Sequence, residues 1–348
     1  MRAVLRWRNC RASFRGRPNP SRNAPPGSGI VPDARAGSDK PVTADEAATL
    51  FAPLAAYSHL ALAVSGGCDS VALMWLLARW SKVYAPQISI SVLSVDHGLR
   101  DGARAEAEQA GQWARDYGFS HHILNWRGEK PQAGVQAAAR KARYELLAGW
   151  CRAHGAQLVL AHHLDDQAET VLMRLFRGSG IDGLCGMSRQ SWREGVRLLR
   201  PLLEVPKARL VATLQHAGQG WCEDPSNQDL KYERVRIRRG LESLARAGFD
   251  PASISMSAAA LRPVREALDA AADALIANAG VVSPGGFAHL EAEALAQVAG
   301  ETGLRVFRRF LRFAGGNAHP PRRRKLLRLF EVMRHDLEAS ATLAGCRV

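Results

Sequence analysis

One turn constrains this chain more than any other stretch. Residues 60–77 read LALAVSGGCDSVALMWLL. A short apolar run stops at Ser65-Gly66-Gly67-Cys68-Asp69-Ser70, and a second apolar run with helical spacing begins at once. Strand, small-residue turn and helix, in that order, leave several backbone N–H groups without acceptors at a helix N-terminus. Those donors and the helix dipole favour an anion at one spot, so the segment reads as a phosphate cradle. Gly66 and Gly67 permit close backbone approach, and the hydroxyls of Ser65 and Ser70 add donors. No Gly-Lys-Ser/Thr closes the turn, so this is not a Walker loop. The competing reading is an ordinary tight strand-to-helix turn, because Gly and Ser dominate turns. Asp69-Ser70, with this strand and helix on either side, favours the nucleotide.

The segments around the turn repeat its logic. Residues 44–57 read as a helix behind the capping box of Thr43 and Glu46. Strands are expected at 59–64, 88–95, 121–126 and 157–161, alternating with helices at 69–80, 103–117, 135–151 and 165–176. That alternation predicts an α/β fold, a doubly wound parallel sheet with helices on both faces. Ligands of such sheets sit beyond the strand carboxyl ends, where SGGCDS, VDHGLR and AHHLDDQAET all fall. A further strand at 196–203, demoted at its end by Pro201, and a helix at 206–217 follow. Beyond about residue 253 the pattern is mostly helical. The expected organisation is a disordered basic tail at 1–40, a catalytic domain at 41–245, a smaller helical domain at 250–340, and the start of a further segment at 341–348.

Charge narrows the partner class. The 348 residues carry 47 Lys and Arg against 33 Asp and Glu, a net +14, which suggests nucleic acid before a membrane surface. No apolar run approaches membrane-spanning length, so no membrane partner is expected. Six cysteines, Cys10, Cys68, Cys151, Cys185, Cys222 and Cys346, contain no CxxC pair. That argues against a zinc ribbon, an iron–sulfur site or a disulfide scaffold, and suits a reducing cytoplasm. The first 32 residues hold seven arginines and no acid. They resemble a presequence in composition, but their prolines and weak amphipathicity favour a tail.

Three constellations can carry chemistry. His162, Asp166 and Glu169 stand at i, i+4 and i+7 and share one helix face at the strand end. Two carboxylates and an imidazole suit Mg²⁺ binding, capture of a cationic amine, or proton transfer; the bland reading is an acidic first turn complementing the helix dipole. His97 closes a strand at the same edge, either as a turn residue or as a functional one. Arg140, Lys141 and Arg143 lie on one helix. Lys231, Arg234, Arg236, Arg238 and Arg239, with Tyr232 and Trp221 nearby, suit RNA backbone contact and stacking. A further basic run at Arg305, Arg308, Arg309, Arg312 and 322–325 suits a phosphate track.

SGGCDS, VDHGLR, AARKARYELL, AHHLDDQAETVLMRLFRGSGIDGL, RPLL and EDPSNQDLKYERVRIRR occur in an order and spacing that resembles the bacterial tRNA(Ile)-lysidine synthase family. That family belongs to the PP-loop ATP pyrophosphatases, with a Rossmann-like adenine nucleotide alpha hydrolase fold. The likeness covers roughly residues 60–239. It implies a ligase that adenylates the wobble cytidine of a CAU-anticodon isoleucine tRNA with ATP. Free L-lysine then displaces AMP through its ε-amine, giving lysidine. It implies that Ser65, Gly66, Gly67, Cys68, Asp69 and Ser70 hold the pyrophosphate of ATP and that Asp69 and Asp166 share Mg²⁺. Asp166 and Glu169 alternatively orient lysine. His97 and His162 handle protons or the base, and Arg143, Arg234, Arg236 and Arg238 face the adenylate or the tRNA. The same likeness allows a homodimer. Val235 stands where relatives often carry Asn. A thiolating PP-loop tRNA modifier and a non-catalytic RNA-binding relative are the alternatives.

Overall fold

The run before the cradle is a strand, β2 (His59–Ala63), and the run after it a helix, α2 (Cys68–Tyr84), as its local pattern dictates. The computed structural model to which these belong describes residues 4–9, 40–99, 102–128, 130–131, 133–223, 231–283, 287–315, 321, 323–336 and 340–348. Most of the expected basic tail, Arg100 of VDHGLR, 224–230 of the charged segment and Arg322 lie outside those residues. The chain forms two units. The first takes residues 31–177 and 186–257, the second residues 1–30, 178–185 and 258–348.

In the first unit six strands run in the order β4 (Ser120–Asn125), β3 (Ser89–Asp96), β2, β5 (Gln157–Val159), β7 (Val196–Leu199) and β6 (Gln190–Arg193). Every neighbouring pair is parallel except β6 with β7. The chain steps from β2 through β3 to β4, then returns to the other side of β2 with β5, so β2 is the switch point. Alternation within β2 divides the core. Leu60, Leu62 and Val64 pack with buried residues of α1 (Ala44–Phe51), α2, α3 (Gly102–Asp116) and α7 (Lys207–His216). Ala61 and Ala63 pack with Tyr144, Leu147, Ala148 and Cys151 of α4 (Val135–His154). Each fully buried Leu of this kind contributes about 1.5–3 kcal/mol. At Gly111 of α3 a Cβ would stand 2.3 Å from His121 Nδ1 of β4, so only glycine lets this helix lie so close to the sheet.

Two local expectations change. The Thr43–Glu46 capping box is present, with the Thr43 N–H donating to Glu46 Oε2 at 2.8 Å, but Pro53 converts the helix into a 3₁₀ turn at Ala52–Ala56. The strand expected at 196–203 ends at Leu199 and pairs with β6, an edge strand the alternation did not announce. Two more helices complete the unit: α5 (Leu164–Phe176), and α8 (Glu233–Arg246) in the basic segment.

The second unit includes α6 (Ile181–Leu184), α10 (Ala292–Gln297), α11 (Gly300–Gly315) and α12 (Arg323–His335); α9 (Pro251–Ala279) begins in the first unit and continues into this one. It also holds a five-stranded sheet that the expected helical domain did not include. Its order is β10 (Thr342–Leu343), β11 (Cys346–Arg347), β1 (Val4–Asn9), β9 (Phe287–Glu291) and β8 (Gly280–Ser283). Residues 4–9 are therefore a strand and not part of a disordered tail: β1 pairs antiparallel with both β9 and β11. Residues 341–348 are likewise part of this unit, not a separate segment. The unit boundary falls at 257/258, and 178–185 joins the second unit, where sequence reading placed the break at 245–250. Phe307 and Phe330 meet edge-to-face at 5.7 Å in its core.

Candidate active site

The cradle is built as its sequence requires. Gly66 adopts φ +86°, a conformation that disfavours side chains, and Gly67 is the N-cap of α2. The N–H groups of the first turn of α2, at Cys68 and Asp69, have no intrahelical acceptor and open towards the strand end. The Ser70 hydroxyl is used within the loop: it donates to the Gly67 carbonyl at 2.8 Å and accepts the Ser65 N–H at 3.2 Å. In this structure the hydroxyl is engaged within the loop, where the sequence pattern offers it as a phosphate donor. Cys222 crosses the loop, its N–H donating to the Gly66 carbonyl at 2.9 Å. A Cβ on Gly66 would lie 3.3 Å from Cys222 Sγ. Burial and the neighbouring Asp69 push the Cys68 thiol up to about 12, so it is no nucleophile.

An acidic cluster surrounds one imidazole at the cradle. His163, only 1 % exposed, is the N-cap of α5. Its Nε2 lies 3.5 Å from Asp69 Oδ2 and from Asp166 Oδ2, and its Nδ1 lies 3.4 Å from Asp165 Oδ2. Burial alone lowers its pKa; the hydrogen bonds to Asp165 and Asp69 and the Asp166 charge outweigh that and hold it up at about 10. The ring is thus a cation at neutral pH. Protonated Nδ1 donates to Asp165, so the Asp166 N–H, 3.4 Å from that nitrogen, has no lone pair to donate into. Asp166 keeps its charge: burial raises its carboxyl, and the charges of His163 and Arg234 more than offset this.

Glu169 shares the helix face with His162 and Asp166, as the spacing predicts, but that face is covered. The Glu169 side chain is 1 % exposed, and its two oxygens accept from Arg234 Nε at 2.8 Å and Arg238 Nε at 2.7 Å of α8. Arg234 Nη2 also lies 3.5 Å from Asp166 Oδ1. Two of the arginines assigned to RNA therefore face the acidic helix. Arg236 bonds the Lys231 carbonyl at 2.9 Å on an exposed stretch.

A second group of polar atoms lines the strand ends without partners. Among the described residues, Asp69 Oδ1, His97 Nδ1, His162 Nδ1 and Arg200 Nε are buried without a hydrogen-bond partner. Such atoms are costly unless something binds them. Burial pushes His162 down to about 3, with Arg200 and Arg234 adding to the shift and Asp166 opposing it. Burial and then Arg143 lower His97. Both rings are therefore neutral, fit to bond a base edge more than to carry a proton. Arg143, lowered by burial and half-buried, forms no ion pair among the described residues, which leaves it open to an anion.

His163, Lys207 and Arg200 are members of this site that sequence reading missed. His162 and His163 look alike in a row of letters, and only the N-cap geometry turns the second one inward. For Lys207 a signal existed: a lysine in the first turn of a helix opposes the dipole, which implies a local acid. That acid is Asp69, whose Oδ2 lies 3.8 Å from Lys207 Nζ.

Residues 40–244 match the family described as a PP-loop domain. The chain is 49 % identical over 236 residues to the tRNA(Ile)-lysidine synthase of Bradyrhizobium diazoefficiens, a match covering 68 % of this chain and 65 % of that protein, just under two thirds of its length. It is 45 % identical over 298 residues to the Rhodopseudomonas palustris enzyme of that name, covering 84 % of this chain and 85 % of the relative. Wolbachia pipientis wMel has one 33 % identical over 294 residues, covering 84 % and 68 %. Among solved structures, the U34-tRNA thiolase NcsA from Methanococcus maripaludis matches with a TM-score of 0.54 at 17 % identity, over 62 % of this chain and 78 % of that one, which shows a shared fold. Among the described residues no helix is long and apolar enough to cross a membrane. A cradle at the switch point, an acidic helix beside it and these relatives agree: the chain belongs to the tRNA(Ile)-lysidine synthase family of PP-loop proteins.

Proposed function

We propose that this protein joins free L-lysine to the wobble cytidine of a CAU-anticodon isoleucine tRNA at the expense of ATP. The observation that carries the reading is the set of four unpartnered buried atoms, on Asp69, His97, His162 and Arg200, gathered at the strand ends beside the cradle. A phosphate-binding turn alone needs none of the last three. In the first step the cytosine oxygen attacks the α-phosphorus, and the bond to the β-phosphate oxygen breaks with its electron pair leaving on pyrophosphate. In the second, the lysine ε-ammonium gives one proton to the Asp166 carboxylate or to solvent, its free amine bonds to the ring carbon, and that same oxygen departs on AMP with the electron pair.

The residues divide the work. Gly66, Gly67 and the first turn of α2 bind phosphate oxygens, with Ser65 and Ser70 fixing the loop. Mg²⁺ fits Asp69 Oδ1, a buried carboxylate oxygen with no other partner, since this ion takes one or two carboxylates and completes its shell with phosphate and water. When bound, it would offset charge on the phosphates. Asp166, ionised and partly open, is the carboxylate suited to a lysine ammonium. Glu169, with both oxygens committed, positions Arg234 and Arg238 instead of binding the amine. The neutral rings of His97 and His162 orient the base, and Arg143 accepts the adenylate. Arg236 and the basic face of α12, where Arg324, Lys325 and Arg328 line a groove of about 410 Å³, contact tRNA phosphates.

The test mixes the protein with ATP, Mg²⁺, lysine and CAU-anticodon isoleucine tRNA. It follows AMP release and the mass of the digested nucleosides. One AMP is expected for each cytidine that gains a lysine less one water. Lysine-independent AMP release with no such mass gain overturns the proposal.

A further inference from the structure

Beyond the Mg²⁺ that Asp69 would hold, the cradle's own residues supply no cation for the leaving group. ATP split between its α- and β-phosphates releases pyrophosphate, a leaving group that gains charge as the bond breaks, yet SGGCDS contains no basic residue and adds the carboxylate of Asp69. Among the described residues of the first unit, three cations act on that carboxylate. His163 contacts it but is only 1 % exposed and is enclosed by Asp165 and Asp166, so no phosphate reaches it. Arg238 acts on it from farther away, and its Nε is committed to Glu169. Lys207 is different. Its side chain is 38 % exposed, and its Nζ lies 3.8 Å from Asp69 Oδ2, long for a closed ion pair. Its backbone is held in place, because the Lys207 N–H donates to Asp165 Oδ2 at 2.8 Å. The charge is felt within the cradle itself: Lys207 opposes the rise of the Cys68 thiol at the first residue of α2.

The geometry points to Lys207 as the residue that grips the leaving pyrophosphate, swinging its ammonium from Asp69 onto the β- and γ-phosphate oxygens. The inference rests on the ATP-splitting reading above and adds a residue to it. The ammonium moves no proton. It neutralises oxygens on the departing group as the electron pair arrives, where a charge-assisted donor is worth most. A loosely paired lysine on a fixed backbone suits this task, because it gives up one weak contact for a stronger one.

Direct binding of inorganic pyrophosphate with Mg²⁺ to the full chain, by calorimetry, tests the site without turnover. Lys207→Gln is expected to bind about 10–100-fold more weakly than the wild type, and Lys207→Arg to restore most of the affinity. In the complete lysine-transfer assay, Lys207→Gln is expected to lower kcat about 100-fold while leaving KM for lysine and for tRNA in place. Equal pyrophosphate affinity in wild type and Lys207→Gln overturns the inference, as does a wild type that binds no pyrophosphate. A residue that only props Asp69 would change the melting temperature without changing pyrophosphate affinity. Lys207-dependent pyrophosphate binding in a protein that adds no lysine to tRNA keeps this site and removes the substrate reading instead.

Discussion

In the first unit a buried carboxylate, Glu169, is held by the guanidinium groups of Arg234 and Arg238. In the second unit a buried guanidinium, Arg305, is held by the carboxylates of Asp182 and Asp269, at 2.7 and 3.0 Å. Both side chains are 1 % exposed, and the signs are reversed. The surroundings differ. Around Arg305 a further layer of arginines extends the network, Arg308 on Asp182, Arg309 on Asp269 at 2.7 Å, and Arg323 on Glu301 at 2.8 Å, while Arg305 Nε and Nη2 are buried without a hydrogen-bond partner among the described residues. The arginines that hold Glu169 also face Asp166, which lies beside the unpartnered atoms at the strand ends. One network joins α11 to α6 and α9; the other joins α8 to α5 beside the cradle.

Substitutions can break that contrast. The largest expected effect on stability is Arg305→Met, which removes the cation that Asp182 and Asp269 share while each keeps a second arginine, Arg308 or Arg309, and costs about 1.5–3 kcal/mol. It is read as lost hydrogen-exchange protection in α11, and wild-type protection would show the network to be dispensable. Next comes Glu169→Gln, which keeps the shape and releases the aim of Arg234 and Arg238. Lysine transfer is expected to fall about 100-fold in kcat/KM, with α11 protection unchanged. Wild-type turnover would reduce Glu169 to an architectural residue like Arg305.

A third test concerns His163. Its folded pKa of about 10 lies above the ordinary 6.5, so the folded chain holds this proton more tightly than the unfolded one. The resulting stability is fully present below 6.5 and is lost as the pH rises through about 10. Denaturation midpoints across that window should slope downward, and His163→Gln should flatten the slope. An unchanged slope would place the effect elsewhere. The smallest expected effect is Arg236→Ala. It should weaken tRNA binding a few-fold and reduce the salt dependence by about one phosphate contact. No change in either would make Arg236 a solvated helix residue.

The cradle was legible because everything that makes it is local: apolar run, Gly66-Gly67, Asp69, apolar run. The shared face of His162, Asp166 and Glu169 was legible for the same reason. What covers that face was not, since Arg234 lies 65 residues from Glu169 in the chain and nothing in their spacing links them. The basic run on α11 misled in the same way. Arginines at helical spacing look like a phosphate track, and burial by Asp182 and Asp269 takes Arg305 out of any track. Short strands carry too little alternation to identify themselves, which hid β10, β11 and β6. The segment holding β1 was hidden by its basic, proline-rich company.

The second sheet has a consequence for how the protein is made. Arg8 of β1 pairs with Arg347 of β11, two residues far apart in the sequence. The strands of the first unit all lie within residues 59–199, and that unit can fold as soon as its last helix leaves the ribosome. The second must keep one edge of β1 unpaired until β11 arrives, and such delayed, long-range pairings close slowly and invite association in the meantime. Synthesis therefore presents a finished nucleotide cradle while the other half is still an open template.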